Sequence, residues 1–299
     1  MDLIINFTPT GMIPVKKMTP HVPVSINELV EDVHCAWEAG ITMVHLHARD
    51  EATEEPRSDA YIYGRIIEGI RGFSQDLVLC VSLSGRLVQD VERRAEPLRL
   101  DDKLKPDMGS LTLGSMNFSR QASANDPDTI QRLAEIMRAR GVKPELEVFD
   151  SGMINYARYL AEKGLIEPPF YFNLLFGNIA TAQADVAQAG LMIRDLPDDS
   201  LWSLAGLGRA QLPMNMVSIA FGGGVRVGLE DNIWFDDERT RLASNLDLIR
   251  RIHDLAEIRA REVMTSGELR AKLQLAPGFG DYGVAAHPTE ASSVVTREG

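Results

Sequence analysis

Apolar runs of strand length alternate along the chain with stretches of helical length whose apolar residues recur every three or four positions. That alternation marks repeated βα units around a parallel sheet. Eight units can be counted. The predicted strands lie near Leu3–Phe7, Thr42–Leu46, Leu77–Leu83, Met108–Leu113, Glu145–Phe149, Tyr171–Phe176, Leu201–Gly206 and Val217–Phe221. All are short and mostly apolar, as expected when both faces of a sheet are covered. Helix signals fall between them. Ser25-Ile26-Asn27-Glu28 reads as a capping box, Leu29, Val33 and Trp37 follow at i, i+4 and i+8, and Gly40 stands where that helix should stop. Asn125-Asp126-Pro127 opens a helix ending at Gly141, a helix over Met153–Lys163 ends at Gly164, and Leu242, Leu246, Ile249 and Ile252 share a face of a late helix. The pattern predicts an α/β fold of the (β/α)8 TIM-barrel type, a single domain over residues 1–275 that closes with a short helix near Glu268–Leu273. The tail, residues 276–299, is rich in small and turn-forming residues and is expected to be mobile or to contact a neighbouring subunit.

Composition acts mainly by exclusion. Of 299 residues, 44% are apolar, enough to bury a large core, whereas Asp and Glu number 43 against 31 Lys and Arg, a net charge of −12 with no basic run. Nucleic acid is therefore not an expected partner. An anionic substrate would need a locally positive pocket, from a metal or a buried arginine. Cys35 sits in a helical pattern and Cys80 in a strand pattern, so no disulfide framework is expected and a reducing cytoplasm fits. The start, MDLIINFTPTG, lacks a basic stretch leading into an apolar one, and no 18-residue apolar run follows, so neither export nor membrane insertion is expected.

The chemistry concentrates at two strand ends. In Met43-Val44-His45-Leu46-His47-Ala48-Arg49, alternation of side chains projects His45 and His47 from one face, about 7 Å apart along the strand. Two imidazoles at the carboxyl end of a barrel strand can share a cation, and zinc suits two imidazoles and a carboxylate with one position left open. Two core histidines satisfied by carbonyls are the bland alternative. After the eighth predicted strand comes Gly222-Gly223-Gly224-Val225-Arg226-Val227-Gly228-Leu229-Glu230-Asp231-Asn232. There Arg226 can clamp a carboxylate or orient a base, and adjacent Glu230 and Asp231 point apart, so one can ligate while the other acts. The alternative is a solvated charged loop. The loops after strands seven and eight, Gly206-Leu207-Gly208-Arg209 and Gly222–Gly224, sit where barrels often cradle phosphate, which makes Arg209 a candidate contact for coenzyme A.

His-Leu-His-Ala-Arg together with Gly-Gly-Gly-Val-Arg-Val-Gly-Leu-Glu-Asp-Asn resembles the β-keto acid cleavage enzyme family. The likeness takes in Asn6–Gly11, His21–Glu28, Asp107–Asn117 and Lys143–Tyr156 and leaves only the tail unmatched. The resemblance implies a barrel, one Zn2+ per subunit, a homotetramer, and condensation of a β-keto acid with acetyl-CoA to give a new acyl-CoA and acetoacetate. By the family's motifs, His45, His47 and Glu230 hold zinc, and Asp231, oriented by Arg226, is the general base. On strand five the family pattern favours Glu147 near the reacting centre, with Glu145 as a structural alternative. Ser110 corresponds to a small hydroxyl residue that binds the substrate carboxylate, and either Ser82 or Ser84 is a further substrate contact. Relatives acting on aminohexanoate carry an acid near the first strand end, where this chain has Thr10-Gly11-Met12-Ile13-Pro14. Met12 and Ile13 would form an apolar wall there, so a substrate without an amine, uncharged at that end, is expected. Two other readings share these residues: a metal-dependent barrel hydrolase that activates water, and a non-catalytic barrel that binds zinc or CoA.

Overall fold

Eight parallel strands close on one another in the computed structural model, which describes residues 2–276. In chain order the elements are β1 (Ile5–Phe7), α1 (Ile26–Glu38), β2 (Met43–Leu46), α2 (Ala60–Phe73), β3 (Val78–Val81), the single turn α3 (Val91–Arg94), β4 (Met108–Thr112), α4 (Pro127–Arg140), β5 (Lys143–Val148), α5 (Ser151–Glu162), β6 (Phe170–Phe176), α6 (Val186–Arg194), β7 (Ser200–Gly206), α7 (Gln211–Phe221), β8 (Gly224–Val227), α8 (Asn245–Ile258) and α9 (Ser266–Leu273). Each strand pairs with its sequence neighbours, and β1 completes the ring against β8 with Asn6 opposite Arg226. This is the expected TIM barrel. Two-stranded ribbons, Ala48–Arg49 with Pro56–Arg57 and Met116–Asn117 with Ala122–Ser123, stand beyond the carboxyl ends of β2 and β4. From residue 277 on, the expected tail lies outside the described residues.

The caps work as their chemistry predicts. Ser25 accepts from the Glu28 amide while the Glu28 carboxylate takes the Ser25 amide, and Leu29 and Val33 are buried; Trp37 lies at the rim, 37% exposed. Asp126 caps α4, Pro127 occupies its first turn, and Gly141 ends it at φ 64°. Leu242 falls before α8 instead of within it, because a second capping box between Ser244 and Asp247 fixes the helix start at Asn245.

The last βα unit departs from the sequence pattern. Val217–Phe221 is the end of helix α7, and the eighth strand is Gly224–Val227. The buried positions of α7 are Gln211, Met214, Asn215, Ser218 and Ile219, a helical spacing that hydrophobicity alone hides because three of the five are polar. Those three donate to the last two strands and the turn after them: Gln211 Nε2 to the Gly228 carbonyl, Asn215 Nδ2 to those of Leu204 and Arg226, and the Ser218 hydroxyl to that of Gly224. Gly222, at φ 96°, ends the helix. Gly222–Gly224 therefore enters β8 at its amino end and is no phosphate cradle beside the strand termini.

The opposite mouth of the barrel is plugged. Met264, Leu269 and Leu273, from α9 and the turn before it, pack on Ile4, Met43, Val78, Met108 and Tyr171. Arg270 of α9 and Arg71 of α2 both bond the fully buried Asp107 at 2.8–2.9 Å. Above this apolar floor the interior positions turn polar, beginning with Asn6, His45, Glu145 and Asn173.

Candidate active site

At the carboxyl ends of the strands a cavity of about 240 Å³ is lined by residues from all eight strands and the loops that follow them. His47, Ser82, Ser84, Arg86, Thr112, Ser123, Glu147, Arg226, Glu230 and Asp231 supply its polar surface; Met12, Ile13, Met116, Phe118, Phe149, Leu175 and Leu207 supply the apolar one.

Strand alternation aims both imidazoles inward. His45 Nε2 lies 3.2 Å from His47 Nε2, which lies 3.2 Å from Glu230 Oε1, and the three ligand atoms are within 4.8 Å of one another. Glu230 Oε2 is buried with no hydrogen-bond partner. This trio could hold a metal ion. Gly11 makes room for it: at φ 61° it abuts Glu230 so closely that a Cβ there would come within 2.3 Å of Glu230 Cγ. Arg49, the arginine of the His-Leu-His-Ala-Arg motif, donates to the Thr10, Gly11 and Glu54 carbonyls and thereby holds that loop in place.

Below the trio, Glu145 receives four donors. His45 Nδ1 lies 2.5 Å and Cys80 Sγ 3.1 Å from Oε2, and the side-chain amides of Asn6 and Asn173 each donate to Oε1 at 2.7 Å. The carboxylate holds the Nδ1 proton of His45, so that Nε2 is the nitrogen able to ligate once its own proton is displaced. Burial opposes charge on His45, but the Glu145 carboxylate overrides it and raises the imidazole to about 9. Burial likewise disfavours the Glu145 charge, yet His45 holds that group down at about 2. His45, Cys80 and Glu145 also cluster closely enough to ligate. With both Glu145 oxygens already shared among four donors, this second group serves as the support of the first.

Arg226 organises the acids. From β8 its Nε donates to Asp231 Oδ2 at 3.1 Å, Nη1 to Glu147 Oε1 at 3.1 Å and Nη2 to Glu230 Oε1 at 2.7 Å. Glu147 also accepts from the Thr112 hydroxyl at 2.7 Å. The Asp231 backbone is held by Gly208, whose amide donates to its carbonyl at 2.7 Å. Burial raises the Asp231 carboxyl, Arg226 opposes, and the neighbouring Glu230 charge adds to the rise, leaving it at about 6. Glu230 itself stays well below the ordinary range, because Arg226 and the two imidazoles outweigh its burial.

Residues 2–275 match the family described as beta-keto acid cleavage enzyme. The chain belongs to the β-keto acid cleavage enzyme family. Among members of this family, it is 37% identical over 275 residues to the 3-oxoadipate:acetyl-CoA acetyltransferase of Cupriavidus necator, covering 91% of this chain and 94% of that one. It is 35% identical to the 3-keto-5-aminohexanoate cleavage enzyme of Fusobacterium nucleatum, covering 91% and 98%. The fold is shared with the solved apo structure of ObcA, with a TM-score of 0.76 at 19% identity over 87% of this chain and 66% of that one, so the chain spans just under two thirds of ObcA.

For this β-keto acid cleavage enzyme, most of the residues singled out by sequence meet in one place. Met12, Ile13, Ser82, Ser84, Glu147, Arg226, Glu230, Asp231 and His47 line the cavity, with His45 directly beneath. Ser110 does not line it; its hydroxyl accepts the Leu83 amide at 3.0 Å and so shapes the loop carrying Ser82 and Ser84. Arg209 is exposed on the turn Gly208–Ala210 and lies outside the cavity. Sequence reasoning passed over Asn6, Asn173 and Cys80, single polar residues in apolar strands whose convergence only the closed barrel reveals. It also passed over Arg86, two residues beyond Ser84.

Proposed function

We propose that this enzyme condenses a β-keto acid with acetyl-CoA to release acetoacetate and a new acyl-CoA, that one zinc ion is held by His45, His47 and Glu230, and that the acyl group carries no amine. The observation that carries the reading is the juxtaposition, in one buried cavity, of that trio with Asp231 and Glu147 on Arg226. Tetrahedral zinc with bonds of about 2.0–2.1 Å keeps its ligand atoms about 3.3 Å apart. The 3.2 Å separations and the unpartnered, buried Glu230 Oε2 support that fit. When bound, zinc would supply Lewis-acid polarisation of the keto oxygen.

The chain's own residues account for the proton transfers. Asp231, with its carboxyl raised toward neutrality and its orientation fixed by Arg226, removes a proton from the carbon between the keto and carboxylate groups. That carbon bonds to the acetyl carbonyl carbon and the CoA thiolate departs. The thiolate then adds to the original keto carbon, and the bond between that carbon and the former nucleophilic carbon breaks. The acyl group leaves on sulfur, and the acetoacetate carbanion recovers the proton from Asp231. Ser82 and Ser84 offer hydroxyls for the substrate carboxylate, and the Glu147–Arg226 pair keeps a second carboxylate beside the reacting carbons. A cavity of 240 Å³ admits the reacting ends of the two substrates and not a nucleotide, so the exposed Arg209 outside it suits a CoA phosphate. No carboxylate stands at Met12 or Ile13, which leaves an ammonium there without a countercharge.

The test is incubation of the zinc-loaded enzyme with acetyl-CoA and a panel of β-keto acids, following acetoacetate and the new thioester by mass. Both products should appear together with an amine-free substrate. Zinc-loaded protein that forms acetoacetate from none of them would sink the acyl-transfer reading.

A further inference from the structure

Two arginines line the cavity, and they differ in what they have left to give. Arg226 commits all three of its nitrogens to Asp231, Glu147 and Glu230. Arg86 commits none. It stands on the loop after β3, its backbone amide held by Ser84 Oγ at 3.3 Å, and its guanidinium carbon lies 3.5 Å from the centroid of the Phe118 ring. Among the described residues the guanidinium forms no hydrogen bond or ion pair. A planar guanidinium this close to a ring lies against its face, which turns the edge carrying its donors away from the ring. The platform is itself fixed: Phe118 meets Phe149 edge-on at 5.9 Å, and its amide donates to the Gln121 carbonyl. The cavity's acids attract Arg86 through space but none bonds it, since Glu147, Glu230 and Asp231 bond Arg226. A half-buried, pre-oriented cation with uncommitted donors, in a cavity that Met12, Ile13 and Leu175 also line, is a receptor for a planar anion.

We propose that Arg86 binds a carboxylate at the end of the acyl group distal to the keto carbon, so that the substrates are β-keto dicarboxylic acids. This rests on the acyl-transfer reading and replaces the uncharged distal end expected from Met12 and Ile13 with an anionic one. An amine stays excluded on both counts, by the missing acid and by the present arginine.

The experiment compares wild type, Arg86→Met and Arg86→Lys on 3-oxoadipate and on 3-oxohexanoate, a chain of equal length without the second carboxylate, each with acetyl-CoA. Wild type should prefer the dicarboxylate. In Arg86→Met the ratio of the two kcat/KM values should fall about 100-fold, the loss expected when one partner of a desolvated ion pair is removed. Arg86→Lys should recover part of it, because the charge remains and the fork is lost. An unchanged ratio overturns the proposal: an equal loss on both substrates would place the shared carboxylate on Arg86, and a raised KM for acetyl-CoA would place a phosphate there. Calorimetry with adipate separates this inference from the reading beneath it. If no β-keto acid turns over, adipate binding that Arg86→Met abolishes keeps the anion site, and binding indifferent to the substitution overturns it.

Discussion

Glu145→Gln changes one atom at the point where four donors converge, and its cost can be worked from their positions. Oε2 faces His45 Nδ1 and Cys80 Sγ, and Oε1 faces the amides of Asn6 and Asn173. A glutamine that points its NH2 at His45 forces that imidazole to accept through Nδ1 and to carry its proton on Nε2, the atom aimed at His47 and Glu230. A glutamine turned the other way sets its NH2 against two amide donors. The first arrangement removes a proposed metal ligand and the second leaves buried donors facing each other, at about 1–3 kcal/mol. Loss of a carboxylate behind a ligating histidine typically weakens metal affinity about 10–100-fold, which is about 1.4–2.8 kcal/mol. Zinc affinity is read by competition with a chromogenic chelator, and stability by urea unfolding of the metal-free protein. The variant should lose in at least one of the two, and a glutamine variant with wild-type zinc affinity and wild-type metal-free stability would refute this account of the buried carboxylate.

Asp231→Asn should keep zinc at one equivalent by elemental analysis yet lose about 100-fold or more in kcat; retained turnover would assign the base elsewhere. Because the Asp231 carboxyl is raised to about 6 and only its ionised form accepts a proton, kcat/KM should rise tenfold per pH unit below about 6 and level off above it, and a flat profile between pH 5 and 7 would contradict that role. Added zinc should raise the melting temperature of the wild type, and His47→Ala should lose both that rise and the metal itself, so unchanged zinc content would count against the trio. Asp107→Ala, at the plugged end, strands Arg71 and Arg270 and should cost about 3–5 kcal/mol in urea unfolding while zinc stoichiometry stays at the wild-type value.

What could be read from the chain beforehand depended on whether the physics is local. Caps at Ser25 and Asp126 and the inward pair His45 and His47 follow from neighbouring residues and strand alternation, and all stand where that logic puts them. Helix α7 was hidden because Gln211, Asn215 and Ser218 are buried for hydrogen bonding to the last two strands and the turn after them, so an apolar count sees only the run after Met216. The support of the site was hidden for a different reason: Glu145 bonds Asn6 and Asn173, 139 and 28 residues away, and such partners meet only once the ring is closed. Ser110 illustrates the limit of a motif, which locates a residue without saying whether its hydroxyl faces the cavity or an adjacent amide.

Closure of the ring also sets the order in which the molecule can be made. β1 hydrogen-bonds to β8, and Leu3 bonds to Glu262 and Met264, so the first strand to leave the ribosome waits for the last. At roughly 5–20 residues per second, Arg226 follows Asn6 after on the order of 10–40 s, during which the β1 edge has no permanent partner. Both histidines are made early and Glu230 late. A growing chain therefore carries two thirds of the trio from residue 47 on and acquires the third member, the Glu230 carboxylate, with Asp231 beside it, only as the barrel becomes able to shut.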